Sequence, residues 1–230
     1  QLAPYRFAEI LATQADAAPA RGGHLRGGRD APNRPRWHAL GSHVRPRILV
    51  MHPWEFYLKG VESALEAVMR LRAAGLECRL VRVSQWPLCD AERAMVQADH
   101  FYLRLPPQRV AQVVRGCDLL LAPSWEQEGF GLPVLEAFGS GVPVVASEIA
   151  SFHWFAGSAA VLVPPRDPAA LAAAAKELLS SQARWRQARA RGRAVARQFA
   201  EVRVADALEK ALDWAANGGW RDGSPPPEWA

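Results

Sequence analysis

The chain has 230 residues, 50% of them hydrophobic and 22% charged, with a formal net charge of +5. These proportions exclude an intrinsically disordered chain, a collagen-like repeat and a disulfide scaffold, and they leave enough apolar residues for a sizeable core. No apolar run approaches the roughly 18–20 residues that span a bilayer.

The charge is unevenly placed. Residues 1–46 hold seven Arg and three acids (Glu9, Asp16 and Asp30), a balance of +4, whereas the remaining 184 residues are close to neutral at +1. This segment contains RGGHLRGGRDAPNRPR, rich in Gly, Pro and Arg and without a period. Apart from a short helix expected at 5–15, it reads as a basic linker or the remnant of a preceding domain. The chain opens on Gln1 with no charged segment leading into an apolar one, so no signal peptide is read, and a Gln start is expected of a piece of a longer polypeptide. Cys78, Cys89 and Cys117 are odd in number and lack a Cys-x-x-Cys spacing. They read as small buried residues of a reducing compartment, which makes a cytoplasmic location the expectation.

From residue 47 onward apolar strands alternate with helical periods. RILVMH (47–52) reads as a buried strand, LKGVESALEAVMRLRAAG (58–75) as a helix ending at Gly75, and ECRLVRVS (77–84) as the next strand. A loose helix follows near 90–98, then a strand at 100–104, a helix at 107–115 entered through two prolines, and a strand at 117–122. A helix at 132–140 leads to strands at 142–147 and 159–163, and helices are expected at 167–180, 182–199 and 201–215. Strands that are apolar throughout and separated by helices indicate a parallel sheet covered on both faces. The expectation is one doubly wound, Rossmann-like α/β domain over 47–215, followed by a tail at 216–230. Ligands of such sheets bind at the carboxyl ends of the strands.

One of those strand-to-helix segments carries chemistry. Residues 123–147 read PSWEQEGFGLPVLEAFGSGVPVVAS. Gly129 and Gly131 bracket Phe130, and Leu132-Pro133 then opens a helix, where a proline costs no hydrogen bond. The free amides of Gly131, Leu132 and their neighbours, together with the helix dipole, suit a diphosphate. Glu128 before the turn and Glu136 on the second helical turn would repel a phosphate but accept hydrogen bonds from sugar hydroxyls on either side of it. The pattern therefore describes a sugar–diphosphate–nucleoside.

The same stretch resembles the Glu-x7-Glu signature of GT-B retaining glycosyltransferases, in particular glycosyltransferase family 4. The match runs through Pro123, Ser124, Glu128, Gly129, Phe130, Gly131, Leu132, Pro133, Glu136, Ala137, Gly141, Pro143, Val144, Ala146 and Ser147. ILVMHPWEFYLKGVESALEAV resembles the first strand, loop and Lys-Gly helix of that family's C-terminal, donor-binding domain, and the resemblance extends over about 47–180. It implies that Glu128 contacts donor-sugar hydroxyls and that Glu136 holds the ribose. It also implies that Gly129, Phe130, Gly131 and Leu132 carry the diphosphate turn, that Lys59 neutralises the leaving group, and that Arg104 and Leu105 meet the base. No metal or cofactor is implied beyond the nucleotide-diphosphate sugar itself.

The chain also departs from the family pattern. The loop HPWEFYLKG has His52 and Glu55 where the family commonly places an Arg before the lysine. The first Rossmann-like domain of a two-domain enzyme cannot be formed by residues 1–46. A non-catalytic nucleotide-sugar-binding or scaffolding module is therefore the alternative to a transferase, and a second Rossmann-like domain in cis or in trans is the expected partner, with a glycan, lipid or small-molecule acceptor. His52 and His153 are further candidates for ligand contact. His153 is read in a binding-edge loop, SFHWFAG, whose aromatic residues pack beneath it. The Arg-rich stretch 184–203 carries an apolar stripe of Trp185, Ala188, Val195, Phe199 and Val202. It is read as packed on the sheet, with contact to the inner face of a membrane as the sharper alternative. Nucleic acid is disfavoured by the near-neutral core.

Overall fold

The computed structural model describes residues 45–222. The basic segment up to residue 44, its expected helix at 5–15 and the last eight residues of the tail lie outside the described residues. Six strands form one sheet: β1 (Arg47–Met51), β2 (Arg79–Ser84), β3 (His100–Leu103), β4 (Leu119–Ala122), β5 (Val144–Ser147) and β6 (Val161–Val163). Their order is β3-β2-β1-β4-β5-β6 and every pairing is parallel. The winding reverses between β1 and β4, which leaves a crevice at their carboxyl ends. The helices are α1 (Val61–Ala73), α2 (Asp90–Met95), α3 (Pro107–Arg115), α4 (Leu132–Ser140), α5 (Ala150–Phe155), α6 (Pro168–Ser180), α7 (Gln182–Gln198), α8 (Glu201–Ala216) and α9 (Gly219–Asp222).

The two faces of the sheet make two cores because successive strand residues point to opposite sides. Ile48, Val50, Leu80, Leu119 and Leu121 pack with α1 and α6 on one face. Leu49, Val81, Leu120, Val144 and Ala146 pack with α3, α4 and α5 on the other. The Trp185 indole of α7 donates to the Asp118 carbonyl at 2.7 Å, so this Arg-rich helix is tied to the sheet.

Three expectations are corrected. The segment SFHWFAG is not a loop: α5 covers Ala150–Phe155, because Phe152 and Phe155 fall three residues apart and both bury on one helical face. The apolar stripe of 184–203 ends at Phe199, since the helix stops there and Val202, on α8, is 79% exposed. The helix expected from 58 starts at Val61, and Tyr57–Lys59 form a separate 3-10 turn.

Candidate functional site

The last of those corrections places Lys59. Gly60 holds φ at +62°, and a Cβ there would stand 2.0 Å from the Pro123 carbonyl oxygen. No other residue fits, so the 3-10 turn after β1 closes directly against the loop after β4. The Trp125 amide donates to the Leu58 carbonyl at 2.8 Å and locks the two loops together. The result is a short-range meeting of residues 69 positions apart: Lys59 Nζ donates to Glu128 Oε2 at 2.5 Å. Ser124 Oγ donates to the same oxygen at 3.1 Å.

The Glu128 side chain is 8% exposed and that of Lys59 is 25% exposed. Burial alone would raise the Glu128 carboxyl, but the hydrogen bond and charge of Lys59, helped by Ser124 and His52, hold it below its usual value. His52, at the end of β1, lies on the same pocket. Burial first, and then the positive charge of Lys59, push its imidazole down from 6.5 to about 4, so it is neutral near pH 7. The pocket measures about 340 Å³, mouth included, and is lined by His52, Lys59, Ser124, Glu128, Gly131 and Phe152, among others. It opens at the carboxyl ends of β1 and β4, at the reversal of the sheet.

Gly131 and Pro133, in the turn and first helical residues after Glu128, also line the pocket. Gly131 has φ +85°, and a Cβ there would lie 2.3 Å from Phe152 Cε1. It precedes α4, whose second residue is Pro133. The amides of Gly129, Phe130, Gly131 and Leu132 find no acceptor among the described residues. Phe130 does not face this pocket; it stacks on Phe155 at 4.9 Å between ring centroids and meets Phe199 edge-on, which fixes the outer side of the turn. Glu136 is 8% exposed on α4, and no hydrogen bond or ion pair reaches it from the described residues. Burial pushes its carboxyl up to about 7. A carboxyl in this state can accept a hydrogen bond when ionised and donate one when protonated.

The structure thus brings Lys59, Glu128, Gly131 and His52 together, with Glu136 on the adjoining helix. Arg104 and Leu105 do not join them. They follow β3, an edge strand two positions from β1, and the exposed Arg104 donates through Nε to the Gln85 carbonyl at 3.0 Å. His153 is on α5, half exposed, with Nε2 at 3.3 Å from Glu148 Oε1, and it does not line the pocket. Sequence reasoning missed Arg82. This residue is fully buried beneath the β1 loop and donates to Glu92 and to the carbonyls of Val50 and His52. The available signal was an Arg inside RLVRVS, a strand covered on both faces, where an unpaired charge is untenable. Among the described residues no group of three or more His, Cys, Asp or Glu could hold a metal ion. No described helix is long and apolar enough to cross a membrane.

Comparisons with known proteins give the family and the fold. The chain is 32% identical over 161 residues to the MMP alpha-(1->4)-mannosyltransferase of Mycolicibacterium hassiacum, covering 66% of this chain and 39% of that protein. It is 45% identical over 73 residues to the O-antigen chain mannosyltransferase B of Escherichia coli, covering 31% of this chain and 19% of that one. It is 33% identical over 147 residues to a glycogen synthase of Mycobacterium tuberculosis, covering 59% of this chain and 35% of the synthase. The chain therefore spans less than two fifths of the length of these relatives. In fold, TarM superposes with a TM-score of 0.62 at 16% identity, over 76% of this chain and 36% of its own. The sucrose-phosphate synthase of Thermosynechococcus elongatus does so at 0.53 and 22%, over 66% of this chain and 41% of its own. The family described as Glycosyl transferases group 1 matches residues 45–181, from just before β1 to just after α6, and the chain belongs to that family.

Proposed function

We propose that this chain is the donor-binding half of a retaining glycosyltransferase, moving a sugar from a nucleotide diphosphate to an acceptor hydroxyl. The observation that carries the reading is the turn from Glu128 to Glu136. Free amides at Gly129–Leu132 are flanked by one carboxylate paired to Lys59 and by one buried and unpaired. The diphosphate takes the amides and the ribose hydroxyls take Glu136. Lys59 then exchanges Glu128 for the phosphate and stabilises the charge that develops on the leaving group. The exchange frees Glu128 to accept hydroxyls of the donor sugar while Ser124 still holds it. Sugar recognition and leaving-group stabilisation are thereby coupled through one ion pair. The acceptor, a glycan, lipid or small molecule, is held near the anomeric carbon with the help of a second Rossmann-like domain in cis or in trans. Mannose conjugates are the first donors to test, because two of the three relatives described above are named as mannosyltransferases.

A thermal-shift panel of UDP-, GDP-, ADP- and TDP-sugars tests the reading. A donor that binds the native state raises the melting temperature by mass action and identifies the nucleotide. A panel in which none shifts it rejects the reading.

A nucleotide-sugar-binding module without transfer is the second reading, favoured by the self-paired state of Lys59 and Glu128. Slow hydrolysis of the bound donor by the isolated chain speaks for transfer chemistry; tight binding with no turnover speaks for the module.

A further inference from the structure

Arg82 is 0% exposed and its partner Glu92, on α2, is 3% exposed. The three sides of the guanidinium have three different tasks. Nε donates to Glu92 Oε1 at 2.6 Å, Nη1 to the Val50 carbonyl at 2.8 Å, and Nη2 to the His52 carbonyl at 2.9 Å. No side of the fork faces the pocket unpaired, so Arg82 does not replace the missing loop arginine as a phosphate ligand. A buried ion pair is also a weak device for stability, because desolvation offsets much of the attraction.

What the pair does hold is specific. His52 has φ +80°, in the left-handed region that a side chain with a Cβ avoids. It also precedes Pro53, whose ring disfavours helical conformations and pushes the preceding residue toward extended backbone. Backbone of this kind persists only where its surroundings over-determine it. The carbonyls on either side of Met51, where β1 ends, are both fixed by Arg82, and Glu92 fixes Arg82 in turn. A planar fork meets three acceptors in one geometry, which a lysine cannot do.

We infer that Arg82 and Glu92 form a buried positioning pair that holds His52 in its left-handed conformation and thereby sets the pocket wall facing Lys59 and Glu128. For its ligand consequence the inference rests on the donor-site reading above; for its backbone consequence it stands alone.

The test uses the whole chain and two variants. Arg82→Lys keeps the charge and loses the fork. Arg82→Met with Glu92→Leu removes both charges while filling their volume, so that no lone charge is left buried. Crystal structures of each give the His52 backbone, calorimetry with UDP and with GDP gives affinity, and thermal melting reports stability. The expected result is that His52 leaves the left-handed region in both variants. Affinity for the nucleotide that the unaltered chain binds more tightly then falls about tenfold while melting changes little. If His52 keeps its conformation in either variant, or if affinity is unchanged, the proposal is overturned. A double variant that fails to fold assigns the pair to stability and overturns it as well. If the unaltered chain binds neither nucleotide, the affinity measurement is made with the donor that the thermal-shift panel identifies, and the His52 backbone still decides the role of the pair.

Discussion

Lys59 Nζ stands 2.5 Å from Glu128 Oε2, although 69 residues separate them along the chain. Each was expected to serve a different part of the donor, one its phosphate and the other its sugar. Their contact means that the two charges neutralise each other within the pocket, and on the donor reading a diphosphate competes with Glu128 for the lysine.

That pairing has a measurable cost when one side is removed. Lys59→Met leaves the Glu128 carboxylate with Ser124 as its remaining partner and is expected to destabilise the fold by about 1–3 kcal/mol. Lys59→Met combined with Glu128→Leu should recover most of that loss while abolishing donor binding. Urea denaturation of the three proteins checks this, and a single variant as stable as the unaltered chain contradicts the pairing.

Glu136 and His52 give stability a pH dependence of opposite sign. His52 is held near 4 in the fold against an ordinary 6.5. Its contribution is therefore complete above 6.5 and lost as pH falls through 4. Glu136 is raised to about 7 from an ordinary 4.5, so its contribution is complete below 4.5 and lost as pH rises through 7. Between these limits the two offset each other. Glu136→Gln should remove the loss on the alkaline side, with a gain of ~1–3 kcal/mol at pH 8, and leave a steeper fall toward acid. His52→Asn, which tolerates a left-handed backbone, should leave Glu136 unopposed, so that stability rises as pH falls from 7 to about 4.5, where Glu128 begins to lose its own contribution. Melting curves from pH 4 to 8 separate the two effects.

Nucleotide binding should carry the signature of Glu136 as well. Hydroxyl donors favour the ionised carboxyl and lower its pKa in the complex. Affinity is then expected to rise with pH up to about 7 and level off above it. Glu136→Ala should weaken binding by about 1.5–3 kcal/mol and remove that slope. Isothermal calorimetry at pH 6 and pH 8 decides; an unchanged slope takes Glu136 out of the site.

Gly131→Ala tests the turn itself. The added methyl meets the ring of Phe152, which is wholly buried, in a left-handed backbone. A loss of about 1–3 kcal/mol in chemical denaturation is expected, together with loss of donor binding. A variant that melts and binds like the original shows that the turn is softer than its geometry.

Much of this was legible in the chain. Apolar runs separated by helical periods determined a parallel doubly wound sheet, because strands covered on both faces cannot alternate with polar residues. The Glu128–Glu136 stretch determined a helix start with free amides and two carboxylates, since that signal is local: spacing, two glycines and a proline specify it. Local periodicity failed where burial decided the outcome, as at Ala150–Phe155, which became helical to bury Phe152 and Phe155.

The tertiary structure alone decided which side chains meet. Gly60 against Pro123 brings the loops after β1 and β4 together, and only then do Lys59 and Glu128 become one ion pair. The parallel register of β1 with β2, which sets Val50 opposite Arg82, puts that arginine under the carbonyl of His52. Such contacts depend on crossovers of 30 to 70 residues, and no spacing rule reaches across them. The sequence therefore determined the kind of ligand edge this protein has, and packing decided how its charges are shared there, because a buried charge takes whichever partner the fold carries to it.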